Sequence, residues 1–158
     1  MKKLFLLSSL LLASCSLKQA ENNDYPEDKH TYEDVCDLQI AWKEVFNQAE
    51  DEYLVYFYSE ECGYCKLIKD EVIDYCQKEI YPMYFVDVLH DEDKVIKKPP
   101  AIVEGISSID ELFIFGTPSL MKIKEKVVTN YYAGVQSIRE FILDVEEDNF
   151  SYLKLNMS

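Results

Sequence analysis

The chain is short of positive charge. Sixteen Lys and Arg stand against thirty Asp and Glu, a net charge of −14. Phosphate binding needs a basic face, so a nucleic-acid role is excluded. A second Cys-x-x-Cys is missing, and so is any closely spaced His pair. Cys36, Cys76, His30 and His90 are scattered. A zinc site built around one Cys-x-x-Cys would need such a second pair, and no metal is expected. No internal repeat occurs. The one long apolar run, Leu4 to Leu12, is too short for an ordinary membrane span. What is plentiful is aromatic, with twelve Tyr and eight Phe. A domain of about 120 to 130 residues can bury a core without staples.

The opening stretch, "MKKLFLLSSLLLASC", follows a different pattern from the rest. Two lysines precede the apolar run, and small residues follow it. That order describes a secretory signal peptide over residues 1–14. Cysteine directly after Leu12-Ala13-Ser14 resembles the lipobox of bacterial lipoproteins. The resemblance implies cleavage before Cys15, lipidation of Cys15, and attachment to the outer face of the bacterial membrane through the lipid. Residues 16 to 31 are polar and charged and read as a disordered tether spanning about 20–25 Å. His30, within it, reads as a lone exposed histidine. Residues 32–158 read as the folded domain.

Along that domain the texture alternates. Apolar residues from Val35 to Phe46 sit near helical spacing, with Thr31 and Asp34 placed as a capping box. "EYLVYFYS" (52–59) predicts a strand. Residues 62–79 predict a helix with Leu67, Ile68, Val72, Ile73 and Cys76 on one stripe. A second strand is predicted over 81–89, then a loop-rich insertion, then a short helix at "SSIDELF" capped by Ser107 or Ser108. Residues 116–125 and 126–134 predict two strands joined by a tight turn. Residues 135–148 predict an amphipathic helix with Ile138, Phe141, Ile142 and Val145 inward. The first two strands, separated by a helix, should be parallel, and the last two antiparallel. The result is an α/β fold, a mixed sheet of about four strands with helices on both faces.

"CGYC", residues 62–65, lies where the first strand runs into the following helix. Removing Cys15 leaves four cysteines in an exported, oxidising setting. A disulfide between Cys62 and Cys65 would close too small a loop to stabilise much. At a helix N-terminus, however, unpaired N–H groups and the macrodipole favour a Cys62 thiolate, the nucleophile of thiol–disulfide exchange. Cys65, one turn on, is placed to resolve a mixed disulfide.

The strand "LVYFYSEE", the motif "CGYC" and the later "FGTPSL…KVVTNYYAG…IREFI" together resemble the thioredoxin superfamily over roughly residues 34 to 147. The resemblance implies a thioredoxin fold, with Cys62 attacking and Cys65 resolving. Pro118 falls at the family's cis-proline, so Thr117, Pro118, Gly63 and Tyr64 are candidate substrate-binding residues. No cofactor is implied beyond the dithiol itself. The implied partners are disulfide-bearing exported proteins and, for a reductase, a membrane electron donor. Gly63-Tyr64 and Thr117 resemble the bacterial periplasmic disulfide isomerases, and other details resemble small thioredoxin-like accessory proteins of Gram-positive bacteria.

The chain departs from the family in three places. Glu61 stands where Trp commonly precedes the first cysteine. Tyr56 stands where the family has a buried Asp, and Met83 where it has that group's Lys partner. Proton transfer at Cys65 must then use water, Glu60, Lys66 or the Tyr56 hydroxyl. Glu60 and Glu61 should oppose the thiolate, modestly because exposed carboxylates are screened, which favours a reductase or isomerase over a strong oxidant. A binding module using the Pro118 groove without redox activity is the alternative, and metal transfer by the dithiol a weaker third. Cys36 and Cys76 are expected on opposite sheet faces, with Cys76 a buried thiol, and a disulfide between them is the alternative.

Overall fold

The computed structural model describes residues 28–89 and 102–156. The signal stretch, Cys15 and most of the tether lie outside the described residues, as does most of the insertion after β2.

Every second residue of β1 (Glu52–Tyr58) faces the same side, and both sides are apolar. That composition suits a strand covered on both faces. β1 is therefore central. It leads into α1 (Gly63–Cys76) and then β2 (Met83–Asp87), which pairs with β1 in parallel with Leu54 opposite Met83. β3 (Ser119–Lys124) pairs with the other side of β1, antiparallel, with Val55 opposite Met121. β4 (Val127–Ala133) pairs antiparallel with β3 at the edge, giving the order β2-β1-β3-β4. Glu125 and Lys126 form the β3–β4 turn at φ 50° and 63°. Positive φ at both central positions suits the twist of a tight hairpin, although neither residue is glycine. α2 (Gly134–Asn156) closes the described chain and runs eight residues past the predicted end.

The alternation along β1 divides the core in two. Leu54, Tyr56 and Tyr58 meet Cys65, Ile68, Val72 and Ile73 of α1 and Ile138, Phe141 and Ile142 of α2. Tyr53, Val55 and Phe57 meet Trp42, Val45 and Phe46 on the opposite face, together with Val103, Ile106, Leu112 and Ile114. A 3₁₀ helix, Trp42–Glu44, supplies the helical cover there. Glu71 of α1 takes Arg139 of α2 in a two-pronged ion pair, Nε to Oε2 at 2.7 Å.

Several local expectations are corrected. The predicted helix after Thr31 is broken into 3₁₀ segments, Tyr32–Leu38 and Trp42–Glu44, with Val35 out of helical geometry. Between them Gln39 bridges to Phe85, and Ile40 N–H donates to Phe85 O at 2.9 Å. Pairing with the sheet edge overrides helical propensity. Thr31 N–H does donate to Asp34 Oδ2, at 2.9 Å. "SSIDELF" is a hydrogen-bonded turn closed by Leu112 N–H to Ser108 O, which frees Leu112 and Ile114 to reach the core. Leu67 is 51% exposed, one position off the buried stripe marked by Ile68 and Val72.

The end of the expected tether is also bound. Asp70 of α1 accepts the N–H groups of Lys29 and His30, each at 3.0 Å. His30, far from exposed, sits between Asp34 and Asp74, with Nε2 2.9 Å from Asp74 Oδ1. Asp28 pairs with the buried Lys69 at 2.9 Å. This strap carries Tyr32 and Val35 into the α1 side of the core, so Cys36 and Cys76 flank the same face rather than opposite ones. Both are free thiols, Cys36 exposed and Cys76 buried.

Candidate functional site

β1 ends at Tyr58, and three residues later the chain turns into α1. Cys62 is the N-cap of that helix, with extended backbone at φ −77° and ψ 112°. An N-cap side chain faces the helix's unpaired N–H groups. Here the acceptor is sulfur: Cys65 N–H donates to Cys62 Sγ at 3.2 Å. The Cys62 thiol in turn donates to the Thr117 carbonyl at 3.3 Å, across 55 residues of sequence. The Thr117–Pro118 bond is cis. Pro118 is buried and Thr117 half-buried, so the loop before β3 forms the wall opposite α1.

Ser119 fixes that loop. Its hydroxyl donates to Gly116 O at 2.6 Å and meets the Tyr131 hydroxyl at 2.7 Å, which in turn accepts Phe115 N–H at 2.8 Å. Gly116 adopts φ +156°, at the edge of the region that favours glycine. Neither Ser119 nor Tyr131 was expected at the site, and no local pattern marks them.

The two cysteines differ. Cys62 is half-buried, while Cys65 is fully buried against Tyr56, Tyr58 and Ile68. Burial opposes ionisation of Cys62. Hydrogen bonds with the Cys65 thiol, with the Thr117 side chain and with the N–H groups of Cys65 and Tyr64 outweigh it, and the thiol lies below its ordinary value. Cys65 is pushed up to about 12, first by burial and then by its hydrogen bond to Cys62. A nucleophile that ionises easily thus stands before a partner that holds its proton.

These shifts fix a pH dependence. With Cys36→Ser removing the exposed thiol, alkylation by iodoacetamide should fall on Cys62, half-maximal in rate below the ordinary thiol range. Cys65 should stay unmodified until strongly alkaline pH. Peptide mapping of the alkylated protein across pH checks this, and equal labelling of the two would contradict it.

The remaining candidate residues spread outward. Gly63, Tyr64 and Lys66 are exposed on the first turn of α1, Tyr64 to 68%. A Cβ at Gly63 would meet nothing within 4 Å, so the approach to Cys62 is open there. Glu60 and Glu61 are exposed, and hydrogen bonds rather than these carboxylates dominate the state of Cys62. Tyr56 lies deep behind Cys65, fully buried. Cys15 lies outside the described residues. Tyr64 and Leu67 line one groove with Asp28, Asp70 and Glu71, placing apolar surface with an acidic rim beside the dithiol.

A family model, the thioredoxin-like domain, matches residues 38–143. Among solved structures, thioredoxin f2 of Chlamydomonas reinhardtii is similar at 19% identity and a TM-score of 0.47, covering 70% of this chain and 94% of its own. Plasmodium falciparum thioredoxin is similar at 15% identity and 0.49, covering 67% and 96%. Spinach chloroplast thioredoxin f is similar at 14% identity and 0.49, covering 68% and 84%. No curated protein matches the chain. At the level of the family, the fold is that of thiol–disulfide oxidoreductases. With the model spanning the sheet, the dithiol helix and the cis-proline loop, the chain belongs to the thioredoxin-like family.

Proposed function

We propose that this protein is a membrane-anchored, extracytoplasmic thiol–disulfide oxidoreductase that reduces or reshuffles disulfides in exported proteins. The observation that carries the reading is the Cys62 sulfur at the open start of α1, accepting Cys65 N–H at 3.2 Å with the Thr117 carbonyl beside it. In this reading the Cys62 thiolate attacks a substrate disulfide and forms a mixed disulfide. Cys65 then displaces the substrate thiol and closes the Cys62–Cys65 disulfide. Thr117, Pro118, Gly63 and Tyr64 form the surface against which the substrate backbone lies. No cofactor is required. A reductase cycle needs a membrane electron donor to reopen the disulfide. Glu60 and Glu61 oppose the thiolate only modestly beside the hydrogen bonds that stabilise it. Reductase or isomerase direction is therefore part of what we propose and is not fixed by these carboxylates.

Anchoring follows from the lipobox-like "LASC". Lipid on Cys15 would hold the domain at the membrane through buried methylenes, each contributing about 0.8 kcal/mol.

One experiment tests both halves. The full chain carrying Cys65→Ala, expressed in a bacterium, should sediment with membranes and accumulate disulfide-linked adducts that dissolve on reduction. Adding Cys15→Ala should release the protein to the soluble fraction with adducts intact. Absence of adducts would overturn the redox reading. Unchanged sedimentation would overturn the anchor.

A further inference from the structure

The chain enters the folded domain beside the dithiol. Strap and helix run in opposite directions, so the strap's contacts step back along α1 toward its start. Lys29 Nζ and His30 Nε2 reach Asp74, at 2.6 and 2.9 Å. The backbone N–H groups of the same two residues donate to Asp70, one turn nearer Cys62. Asp28 meets Lys69 at 2.9 Å and shares a groove with Gly63 and Tyr64, the two residues after Cys62. The upstream end of the strap therefore points at the mouth of the site.

The other end of the described chain lies far from it. α2 starts beside the cis-proline, where Gly134 N–H donates to Pro118 O at 2.9 Å. It then runs alongside α1 in the same direction, Arg139 pairing with Glu71 and Glu146 with Lys78. At about 1.5 Å per residue, its 23 residues carry the chain about 35 Å from the dithiol.

With a lipid on Cys15, these two ends are not equivalent. Thirteen residues separate Cys15 from Asp28, a reach of at most about 45 Å. A domain of this size is about 35 Å across. From a pole turned away from the lipid, the path round the flank would use that whole reach, fully stretched. Stretching removes conformational entropy. The point of entry therefore stays on the half that faces the membrane, and the mouth of the site stays with it.

We infer that the strap presents Cys62 to the membrane surface, and that the partner of the dithiol is a membrane protein whose reacting dithiol or disulfide lies close to the lipid. The inference rests on the reading of Cys15 as lipidated and of Cys62 as the attacking thiol. Tyr64 and Leu67, both exposed beside Cys62, form the apolar surface that meets this partner. A membrane disulfide takes two electrons from the Cys62–Cys65 dithiol, and a membrane dithiol returns them by the same exchange in reverse.

A phosphatidylethanolamine bearing a pyridyl disulfide on its headgroup supplies a disulfide held at the lipid. Dipyridyl disulfide supplies the same bond in solution. Attack by Cys62 breaks either one, forms a new bond to Cys62 and releases pyridine thione, whose initial rate is read. The lipidated protein carrying Cys36→Ser is bound to vesicles from outside. The ratio of rates, lipid probe over soluble probe, cancels the intrinsic reactivity of the thiol. Inserting a Gly-Ser segment of about 24 residues between Asn22 and Asn23 should lower that ratio about fivefold, because effective concentration falls with chain length. Hanging the domain by its other end, with Cys15→Ala and a hexahistidine after Ser158 on nickel-chelating lipid, should lower it at least about tenfold. A ratio that holds or rises on lengthening overturns the inference, because it puts the point of entry on the far side. Equal ratios from the two attachment points overturn it as well. Failure of the Cys36→Ser protein to bind vesicles would instead sink the anchor reading, and failure to react with the soluble probe the redox reading, each taking the inference with it.

Discussion

Cys62→Ser should bring insulin reduction, followed as turbidity in the presence of dithiothreitol, down to the uncatalysed rate. The substitution changes one atom at the N-cap of α1, and its structural and chemical consequences point in opposite directions. Serine is among the preferred N-cap residues, so its oxygen can take the place of Sγ opposite Cys65 N–H. The helix start, the Thr117 contact and the sheet should all persist. What is lost is a group that can ionise near neutral pH and attack sulfur. An unaltered urea midpoint with no exchange therefore isolates the chemistry from the fold. Activity retained by this variant would move the reaction away from the dithiol. The binding-module reading makes the contrary prediction, since peptide capture at the Thr117–Pro118 loop should be indifferent to sulfur or oxygen at this position. Isothermal titration with a reduced, extended peptide, run on both proteins, gives that reading its own test.

The site was legible where its signal is local. A strand apolar on both faces, a Cys-x-x-Cys at its end and a helical stripe behind it lie within 25 consecutive residues, and β1 and α1 follow that pattern closely. The later Gly116-Thr117-Pro118 could be placed only through the family resemblance, because the Cys62–Thr117 contact spans 55 residues. The strap was illegible for the same reason with no resemblance to help. Its polar residues suit a solvated tether, and only the carboxylates of Asp70 and Asp74, about 40 positions away, convert them into a bound segment. Tyr32 shares that fate, since nothing near it in sequence marks it as a member of the core that buries Cys65. Leu67 shows the limit of periodicity. A stripe drawn from composition widened by one residue onto the exposed face. Cys36 and Cys76 show the limit of analogy. Breaking the first helix at Val35 lets its N-terminal half pack beside α1, not across the sheet from it.

Phe85→Ala should remove about 3–5 kcal/mol of stability, a large share of the roughly 5–15 kcal/mol that holds a domain together. Phe85 is fully buried in β2, next to the central strand. Its ring meets that of Tyr56 edge-on, centroids 5.7 Å apart at 70°. Truncation leaves a void against a strand covered on both faces, where the backbone has little room to collapse. The backbone ties of this position, the bridge to Gln39 and the Ile40 N–H bond to Phe85 O, do not depend on the ring and should survive. With a urea slope of about 1–3 kcal/mol per molar, the midpoint should fall by about 2 M with the slope unchanged. Phe115→Ala is the matched control: the same atoms are removed from a ring 57% exposed, and the change should stay within about 0.5 kcal/mol. Equal losses at the two positions would mean that the packing around Tyr56 is not what holds the sheet to α1. A loss at Phe85 alone ties the rigidity of the wall behind Cys65 to the same rings that build the core.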